Sequence, residues 1–332
     1  MVGLKAKKMT TRRSIKKRRS SLAYDVVCIG RPVQDNVLSG DVFKPYCSHG
    51  VCRQNIQIGE KLAIDDVDTF YGGNALNASL TFARQNLSVG LLTQVGTDSR
   101  SNDLLSLMIS ENVDNNLIYS SDDVKIGHST ILLSKDGERT ILAYPGSEIN
   151  HQILLSTLED VETRWLYISS LNSLDLLEGA FRYAKVNQVR VAFNPGGIEL
   201  DNPAETKLLL QESDVDVLIL NKQEASILFG EASAVDLARH GCNFVKICIV
   251  TDGPNGAHAH DGQIGYYQPI SDDVEVIDRT GAGDAFASGV VSYLALGNDL
   301  ESALEFGSKN STSVVQHLGP HEGIIRLRTY PT

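Results

Sequence analysis

The sequence predicts an α/β fold in which a doubly wound, mostly parallel sheet carries a small β-rich accessory. Short apolar segments alternate with helix-like segments through the second half of the chain, a pattern typical of parallel sheets. In residues 31–71 and 125–145 the pattern changes to shorter stretches in which polar and apolar residues alternate, as is typical of an exposed antiparallel sheet. The length of 332 residues and the hydrophobic content of 42% suffice for one large domain with this accessory.

A basic arm precedes this domain. The first twenty residues contain nine Lys or Arg and no Asp or Glu, whereas residues 21–332 carry 21 basic and 41 acidic side chains. Highly charged segments with few apolar residues do not bury enough surface to fold, so we expect residues 1–22 to be disordered. We place the folded domain at residues 23–325. The arm is assigned no function, and apart from it we expect no nucleic-acid partner.

Composition also bounds the environment of the protein. No apolar run approaches the length of a membrane span, so we expect no transmembrane helix. The arm lacks the apolar segment of a secretory signal, so we expect no signal peptide. The five cysteines are scattered and odd in number, which favours a reducing cytoplasm over a disulfide framework. Cys47 and Cys52, with His49 between them, lack a second Cys/His pair to complete a metal site, so we expect a solvent-side loop there.

The first half of the chain begins with a strand and continues into the β-rich accessory. Residues 25–30 form a short apolar run ending in Gly, as in a buried central strand. The stretches 55–58 and 61–64 alternate in polarity and predict exposed antiparallel strands. Two β-rich runs, 129–133 and 139–144, flank Asp136-Gly137, which is a strong hairpin signal.

Strands and helices alternate along the rest of the chain. The further predicted strands are residues 88–95, 165–169, 189–193, 215–220 and 245–251. The predicted helices are residues 75–83, 101–111, 173–186, 204–210, 223–229, 234–240 and 301–316, with another helix after Gly283. This alternation predicts βαβ units around a parallel sheet that helices cover on both faces.

The most unusual stretch precedes that helix after Gly283. It begins at Asp278 and contains Gly281-Ala282-Gly283-Asp284. Small residues let backbone N–H groups approach an anion, and the following helix adds the positive end of its dipole. A carboxylate is unexpected beside phosphate unless Asp284 accepts a proton from the hydroxyl that is phosphorylated. The same pattern also occurs as an ordinary tight turn with a helix cap, so it does not decide the function alone.

Further polar residues follow the ends of predicted strands, where ligands bind in open α/β sheets. Asp35, Asn74 and Asn77 offer short, rigid groups suited to the hydroxyls of a polyol, and Gly72-Gly73 allows close approach to the backbone. A second set of strand-end residues suits a nucleoside triphosphate with Mg²⁺: Asn221, Glu224, Thr251, Gly253 and Gly256. Mg²⁺ takes few protein carboxylates and keeps several waters, so one Glu acting partly through water is sufficient. The sequence contains no Walker A motif.

These motifs together resemble the ribokinase-like (PfkB) family of sugar and nucleoside kinases, over about residues 24–319. Residues 278–289 resemble the C-terminal signature of that family, and Gly72-Gly73 with Asn77 resembles its N-terminal glycine motif. Asn221-x-x-Glu224 resembles the motif that handles magnesium and phosphate. The segment from Thr251 to Gly256 resembles the nucleotide-binding loop.

The resemblance implies a role for each matched position. Asp284 is the general base, and the N–H groups of Gly281, Ala282 and Gly283 form an anion hole. The implied sugar-binding residues are Asp35, Gly72, Gly73, Asn74 and Asn77. The implied residues for ATP and Mg²⁺ are Asn221, Glu224, Thr251, Gly253, Gly256 and Asn310, with Glu224 nearest the metal and Asn310 near the adenine. Asp278 matches the position that helps bind a monovalent cation such as K⁺. The β-rich accessory at 31–71 and 125–145 resembles the family's lid, which closes over substrate and often mediates homodimers.

Two departures from the family pattern limit what the resemblance specifies. Arg279 stands where Thr or Pro is common, and it adds a cation beside the phosphate site. Asn74 and Leu76 replace the Lys and Gly of ribokinase itself, so ribose is not singled out. We therefore predict an ATP-dependent phosphotransferase acting on a hydroxymethyl group of a small sugar, of ribokinase or fructokinase type.

Two alternatives stay open. One is a nucleoside kinase of the same fold, which apolar or aromatic lid residues over the substrate would favour; the candidates are Phe43, Tyr46 and Tyr144. The other is a non-catalytic homologue that senses sugars or nucleotides, which would be expected to lack the base or the glycines.

Overall fold

The computed structural model describes residues 22–48, 51–271 and 274–327. The basic arm predicted over residues 1–22 therefore lies outside the described residues, except for Leu22, where the first strand begins.

The described ranges contain fifteen β-strands and ten α-helices. The strands are β1 (Leu22–Ile29), β2 (Val33–Ser39), β3 (Tyr46–Ser48), β4 (Val51–Arg53), β5 (Asp66–Gly72), β6 (Val89–Val95), β7 (Ile118–Ser120), β8 (Gly127–Leu133), β9 (Arg139–Tyr144), β10 (Val161–Ile168), β11 (Arg190–Phe193), β12 (Val217–Asn221), β13 (Ile247–Thr251), β14 (Ala257–His260) and β15 (Gly265–Gln268). The helices are α1 (Asn74–Arg84), α2 (Ser99–Ser110), α3 (His151–Glu159), α4 (Leu174–Asn187), α5 (Gly197–Asp201), α6 (Pro203–Glu212), α7 (Lys222–Phe229), α8 (Ala234–Gly241), α9 (Ala282–Ala295) and α10 (Leu300–Val315).

A nine-stranded sheet forms the body, in the order β15-β14-β13-β12-β11-β10-β1-β6-β7. The strands from β13 to β7 pair in parallel, whereas β14 and β15 are antiparallel additions at one edge. Parallel pairing requires crossover connections, and the helices between strands supply them. All the carboxyl ends of the parallel strands therefore meet at one side of the sheet, where the predicted polar residues lie.

Helices cover both faces of this sheet, as predicted. Alternate residues of β1 enter opposite cores: Val26 and Cys28 pack with α1, α2, α9 and α10, whereas Val27 and Ile29 pack with α3, α4 and α6 to α8. Burial on both faces explains why the central strands read as continuous apolar runs. The doubly wound, mostly parallel prediction is confirmed.

The lid is a separate four-stranded sheet in the order β5-β2-β8-β9. In it β2 pairs antiparallel with β5 and parallel with β8, while β8 and β9 form the hairpin predicted around Asp136-Gly137. The strands predicted at residues 55–58 and 61–64 are wrong, because no strand is assigned there and these residues lie in the connection between β4 and β5. Alternation over four residues is too short to distinguish a strand from an exposed loop.

Cys47 and Cys52 correct another expectation. They form a disulfide rather than a reduced loop. They lie directly opposite each other in the antiparallel pair β3–β4, a register that brings two side chains within reach of a covalent bond. An odd cysteine count argues against a complete framework but not against one local pair; Cys28, Cys242 and Cys248 are free. His49 lies outside the described residues.

In the part of the chain that the structure describes, no helix is both long and apolar enough to cross a membrane.

Candidate active site

Asp284 lies in the first turn of α9, where this helix packs against α1. Its Oδ2 accepts a hydrogen bond of 2.8 Å from Nδ2 of Asn77 on α1. The two helices are further joined by the Ser288 hydroxyl, which donates to Thr81 Oγ1 at 2.8 Å. Burial raises the pKa of Asp284 to about 6, and the hydrogen bond from Asn77 opposes this rise. A carboxyl with this pKa is largely ionised at neutral pH and can accept a proton.

The predicted sugar-binding residues lie beside this carboxylate. A Cβ atom built on Gly72 would lie 3.5 Å from Asp35 Oδ2 and 3.8 Å from Asn77 Oδ1, so both polar side chains border the space above Gly72. Asn77 is buried, and its Oδ1 has no hydrogen-bond partner in the described ranges. Burial raises the pKa of Asp35, while the Ser129 hydroxyl of the lid lowers it. Gly73 precedes α1 and Asn74 begins it.

The turn before α9 is held in shape by a loop that sequence reasoning missed. Gly281 has a φ of 75°, in the left-handed region that favours glycine. A Cβ atom there would lie 2.8 Å from Pro320 Cα, and Pro320 Cγ also approaches Gly72. The Gly319-Pro320 turn thus contacts both glycine motifs, and Gly-Pro is a turn signal that could have drawn attention to it.

Of the three predicted anion-hole residues, Gly283 is the most open. It is exposed, and a Cβ atom built there would have no neighbour within 4 Å. The Ala282 N–H donates to Arg279 O at 3.3 Å, closing a turn, so this donor is weakly engaged by the chain itself.

Ala282 and Gly283 also line a cleft of about 180 Å³ that contains part of the predicted nucleotide site. Its walls include Thr251 at the end of β13, with Gly253 and Gly256 in the turn that follows. The opposite wall is the polar side of α10, formed by Ser308, Ser311 and Thr312. These three hydroxyl residues were not predicted, although their i, i+3, i+4 spacing on a helix places them on one face.

Asn221 and Glu224 meet next to this cleft. Asn221 pairs with Thr251 across β12 and β13. At the start of α7 the Asn221 side chain accepts from the Glu224 N–H at 2.9 Å, and Glu224 Oε2 accepts from the Asn221 N–H at 2.8 Å, a capping box. Burial and the negative charge of Asp284 both raise the pKa of Glu224, and the Asn221 N–H lowers it. One Asn-x-x-Glu motif therefore both caps a helix and presents a carboxylate to the site.

Asp278 organises the loop that leads into α9. Its Oδ1 accepts from the Thr280 N–H at 2.9 Å and from the Thr280 hydroxyl at 2.8 Å. Its Oδ2 accepts from the Gly319 N–H at 3.1 Å. Arg139 of the lid lies 3.8 Å from Oδ1.

Asn310 lies apart from these residues. It is fully buried, its Nδ2 donates to Ala285 O at 2.8 Å, and its Oδ1 accepts from the Ile325 N–H at 2.9 Å. Both ends of the amide thus join α10 to α9 and to the last described segment.

Beneath the lid, a second cleft of about 810 Å³ separates β2, β8 and β9 from residues 276–280. Val37, Ile131 and Leu133 give it an apolar wall. Because side chains alternate along a strand and paired residues share a face, this wall continues from Asp35 and Ser129. The aromatic lid residues Phe43, Tyr46 and Tyr144 are not among the described residues that line this cleft.

The site brings together the Asp284 carboxylate, the polar space above Gly72 and a glycine-lined cleft. Residues 52–325 match the pfkB family of carbohydrate kinases, and the chain belongs to this family.

Known proteins of this family resemble the chain over most of its length. Ribokinase of Staphylococcus aureus (strain COL) is 27% identical over 285 residues, covering 82% of this chain and 90% of the relative. Cytidine kinase of Thermococcus kodakarensis is 27% identical over 257 residues, covering 76% of this chain and 90% of the relative. The structure of Arabidopsis thaliana ribokinase complexed with ribose and ATP superposes with a TM-score of 0.75 at 20% identity, over 92% of this chain and 96% of that chain. The protein is thus a kinase of the sugar and nucleoside class.

Proposed function

We propose that the protein transfers the γ-phosphoryl group of ATP to the hydroxymethyl group of a small sugar, with Asp284 as the general base. The observation that carries this proposal is the placement of Asp284. It lies at the start of α9, hydrogen-bonded to Asn77, and Ala282 and Gly283 of the same turn line the glycine-rich cleft. A proton acceptor where a polyol pocket meets an anion site is the arrangement that phosphoryl transfer to an alcohol requires.

Each side of the site has its own task in the proposed reaction. Asp35 and Asn77 hold the sugar hydroxyls above Gly72, and Gly73 and Asn74 complete that pocket. Asp284 takes the proton of the attacking hydroxyl as the bond to phosphorus forms. The backbone N–H groups of residues 281–283, at the positive end of the α9 dipole, stabilise the charge that develops on the transferred phosphoryl group.

ATP occupies the cleft between the Thr251–Gly256 turn and α10 in this proposal. Glu224 fits a Mg²⁺ that is bound through water, because one carboxylate oxygen caps α7 and the other has no hydrogen-bond partner among the described residues. When bound, Mg²⁺ would neutralise charge on the phosphates. Asn221 fixes the Glu224 carboxylate, and Thr251, Gly253 and Gly256 shape the cleft.

A nucleoside acceptor is the second candidate. The apolar wall of Val37, Ile131 and Leu133 extends from Asp35 along the lid and offers a surface on which a base could pack. A non-catalytic sensor is the third, and the presence of Asp284, Gly281 and Gly283 argues against it. We place the kinase domain at residues 23–325 after a basic arm at 1–22. We also propose a cytoplasmic protein and a homodimer formed through the lid.

The test is ADP release measured over pentoses, hexoses, keto-deoxy sugar acids and nucleosides, followed by NMR of the product to locate the phosphate. We expect turnover with a sugar at its primary hydroxyl, and Asp284→Asn should lower kcat by about 10²–10⁴. The control is Asp299→Asn, which replaces a carboxylate at the start of α10 but keeps a capping side chain. Near-normal turnover by Asp284→Asn would refute the mechanism, and turnover with nucleosides alone would establish the second candidate.

A further inference from the structure

Arg139 and Asp278 face each other across the cleft beneath the lid. Arg139 begins β9, and its Nη1 lies 3.8 Å from Oδ1 of Asp278 in the loop before α9. The Asp278 side chain is 16% exposed and that of Arg139 is 44% exposed. Among the ion pairs of the described residues, this one alone joins the lid to the body; Lys135, its neighbour in the lid, pairs with Asp41 and Asp65 of the lid itself.

The oxygens of Asp278 are already engaged by donors. Thr280 supplies two hydrogen bonds to Oδ1, and Gly319 supplies one to Oδ2. A carboxylate has about four lone-pair positions, so little capacity is left for direct coordination of an ion. The guanidinium of Arg139 meanwhile provides the positive charge that a bound cation would otherwise bring. The monovalent cation that the family resemblance implies at Asp278 does not fit this arrangement.

Arg279 makes the same position still less suitable for a cation. It is exposed and lines the same cleft as Arg139, and its guanidinium has no hydrogen bond or ion pair within residues 22–48, 51–271 and 274–327. A potassium ion at Asp278 would therefore share this cleft with two guanidinium groups, whose like charge disfavours it.

We propose that Arg139 takes the place of the monovalent cation and makes the enzyme independent of K⁺. Asp278 holds Thr280 and Gly319, whose neighbours Gly281 and Pro320 shape the anion site, so the charge that stabilises Asp278 also positions that site. Because the charge comes from the lid, the site is completed when the lid lies in the position seen here. Arg139 is thus a positioning residue, and this inference rests on the proposed kinase function.

The experiment compares KCl with choline chloride at equal ionic strength. In the wild type, kcat and the melting temperature of the ADP·Mg²⁺ complex should be the same in both salts. Arg139→Gln should lose about tenfold in kcat, or about 1.4 kcal/mol, in both salts, because the Asp278 oxygens remain engaged by Thr280 and Gly319 and leave no room for K⁺. Arg139→Lys, which keeps a cation, should retain most of the activity without K⁺.

The matched control is Lys135→Gln, which removes a lid cation that pairs only within the lid and should behave like the wild type in both salts. A wild type that is activated by K⁺, or whose melting temperature rises specifically in KCl, would overturn the inference. Full activity of Arg139→Gln in choline chloride would also overturn it. The melting-temperature measurement requires no phosphoryl acceptor. If the kinase proposal is wrong, this is seen separately, because no turnover is detected in either salt.

Discussion

Burial and the hydrogen bond from Asn77 have opposite effects on the pKa of the Asp284 carboxyl group. Burial disfavours the ionised form and raises the pKa from 3.8 to about 6, whereas the Asn77 amide stabilises that form and limits the rise. A base with a pKa just below neutral combines a high fraction of the ionised form with a useful affinity for the proton. Asn77 thus has a second task besides its proposed contact with the sugar.

We predict that Asn77→Ala moves the acid limb of the pH profile to higher pH. In the wild type, kcat/KM should fall as the pH drops through about 6, because protonated Asp284 cannot act as a base. Without the hydrogen bond from Asn77 only burial acts, so the pKa rises and the limb follows it upward. The measurement is kcat/KM against pH, whose limb reports the free enzyme. Ser79→Ala is the control, since that hydroxyl donates within α1 to Leu76 O; an unmoved or lowered limb in Asn77→Ala would contradict the prediction.

At the scale of elements, the entrance to α9 depends on one backbone conformation and one neighbour. Gly281 and Gly297 both have φ in the left-handed region, 75° and 92°, but only Gly281 lies against Pro320. Nothing lies within 4 Å of a Cβ atom built on Gly297. Alanine substitutions at the two glycines therefore separate two free-energy costs, that of a left-handed residue with a side chain and that of displacing Pro320.

We expect Gly297→Ala to lower the free energy of unfolding by about 1–2 kcal/mol, the usual cost of a left-handed residue with a side chain. Gly281→Ala should lose more than this and should also lower kcat, because the Gly319-Pro320 turn must move away from both glycine motifs. Urea unfolding gives the stabilities, and steady-state assays give kcat. Equal stability losses in the two variants, with kcat unchanged in Gly281→Ala, would show that Pro320 has no part in shaping the site.

The observed elements and contacts show which parts of the fold and of the site could be predicted from the sequence. The central strands and their helices were predictable because burial on both faces leaves continuous apolar runs and regular alternation. The glycine turn and Asn-x-x-Glu were predictable because their chemistry is local. The Cys47–Cys52 pair, the Pro320 contact and the Arg139–Asp278 ion pair were not, since each depends on a register or a loop approach that short-range patterns do not encode. The nucleotide-binding role of Asn310 stays a prediction, and its amide joins α10 to α9.

At the scale of the whole molecule, the lid has two different faces. The inner face carries Asp35, Val37 and Ile131 toward the body. By strand alternation, the outer face carries Val67, Leu142 and Tyr144, which are 52%, 56% and 46% exposed. Large apolar side chains on the exposed face of a small sheet with free edges favour association with another copy.

We therefore predict that the protein is a dimer in solution and that Leu142→Lys shifts it toward the monomer. A buried lysine without a partner would be costly at an apolar interface, so even one substitution should raise the dissociation constant. Size-exclusion chromatography with light scattering over a range of protein concentrations measures the effect. Ile109→Lys is the matched control, because Ile109 is 62% exposed on α2 of the body, away from the lid. A wild type that stays monomeric at all concentrations, or a Leu142→Lys variant that dimerises as well as Ile109→Lys, would rule out the lid as the interface.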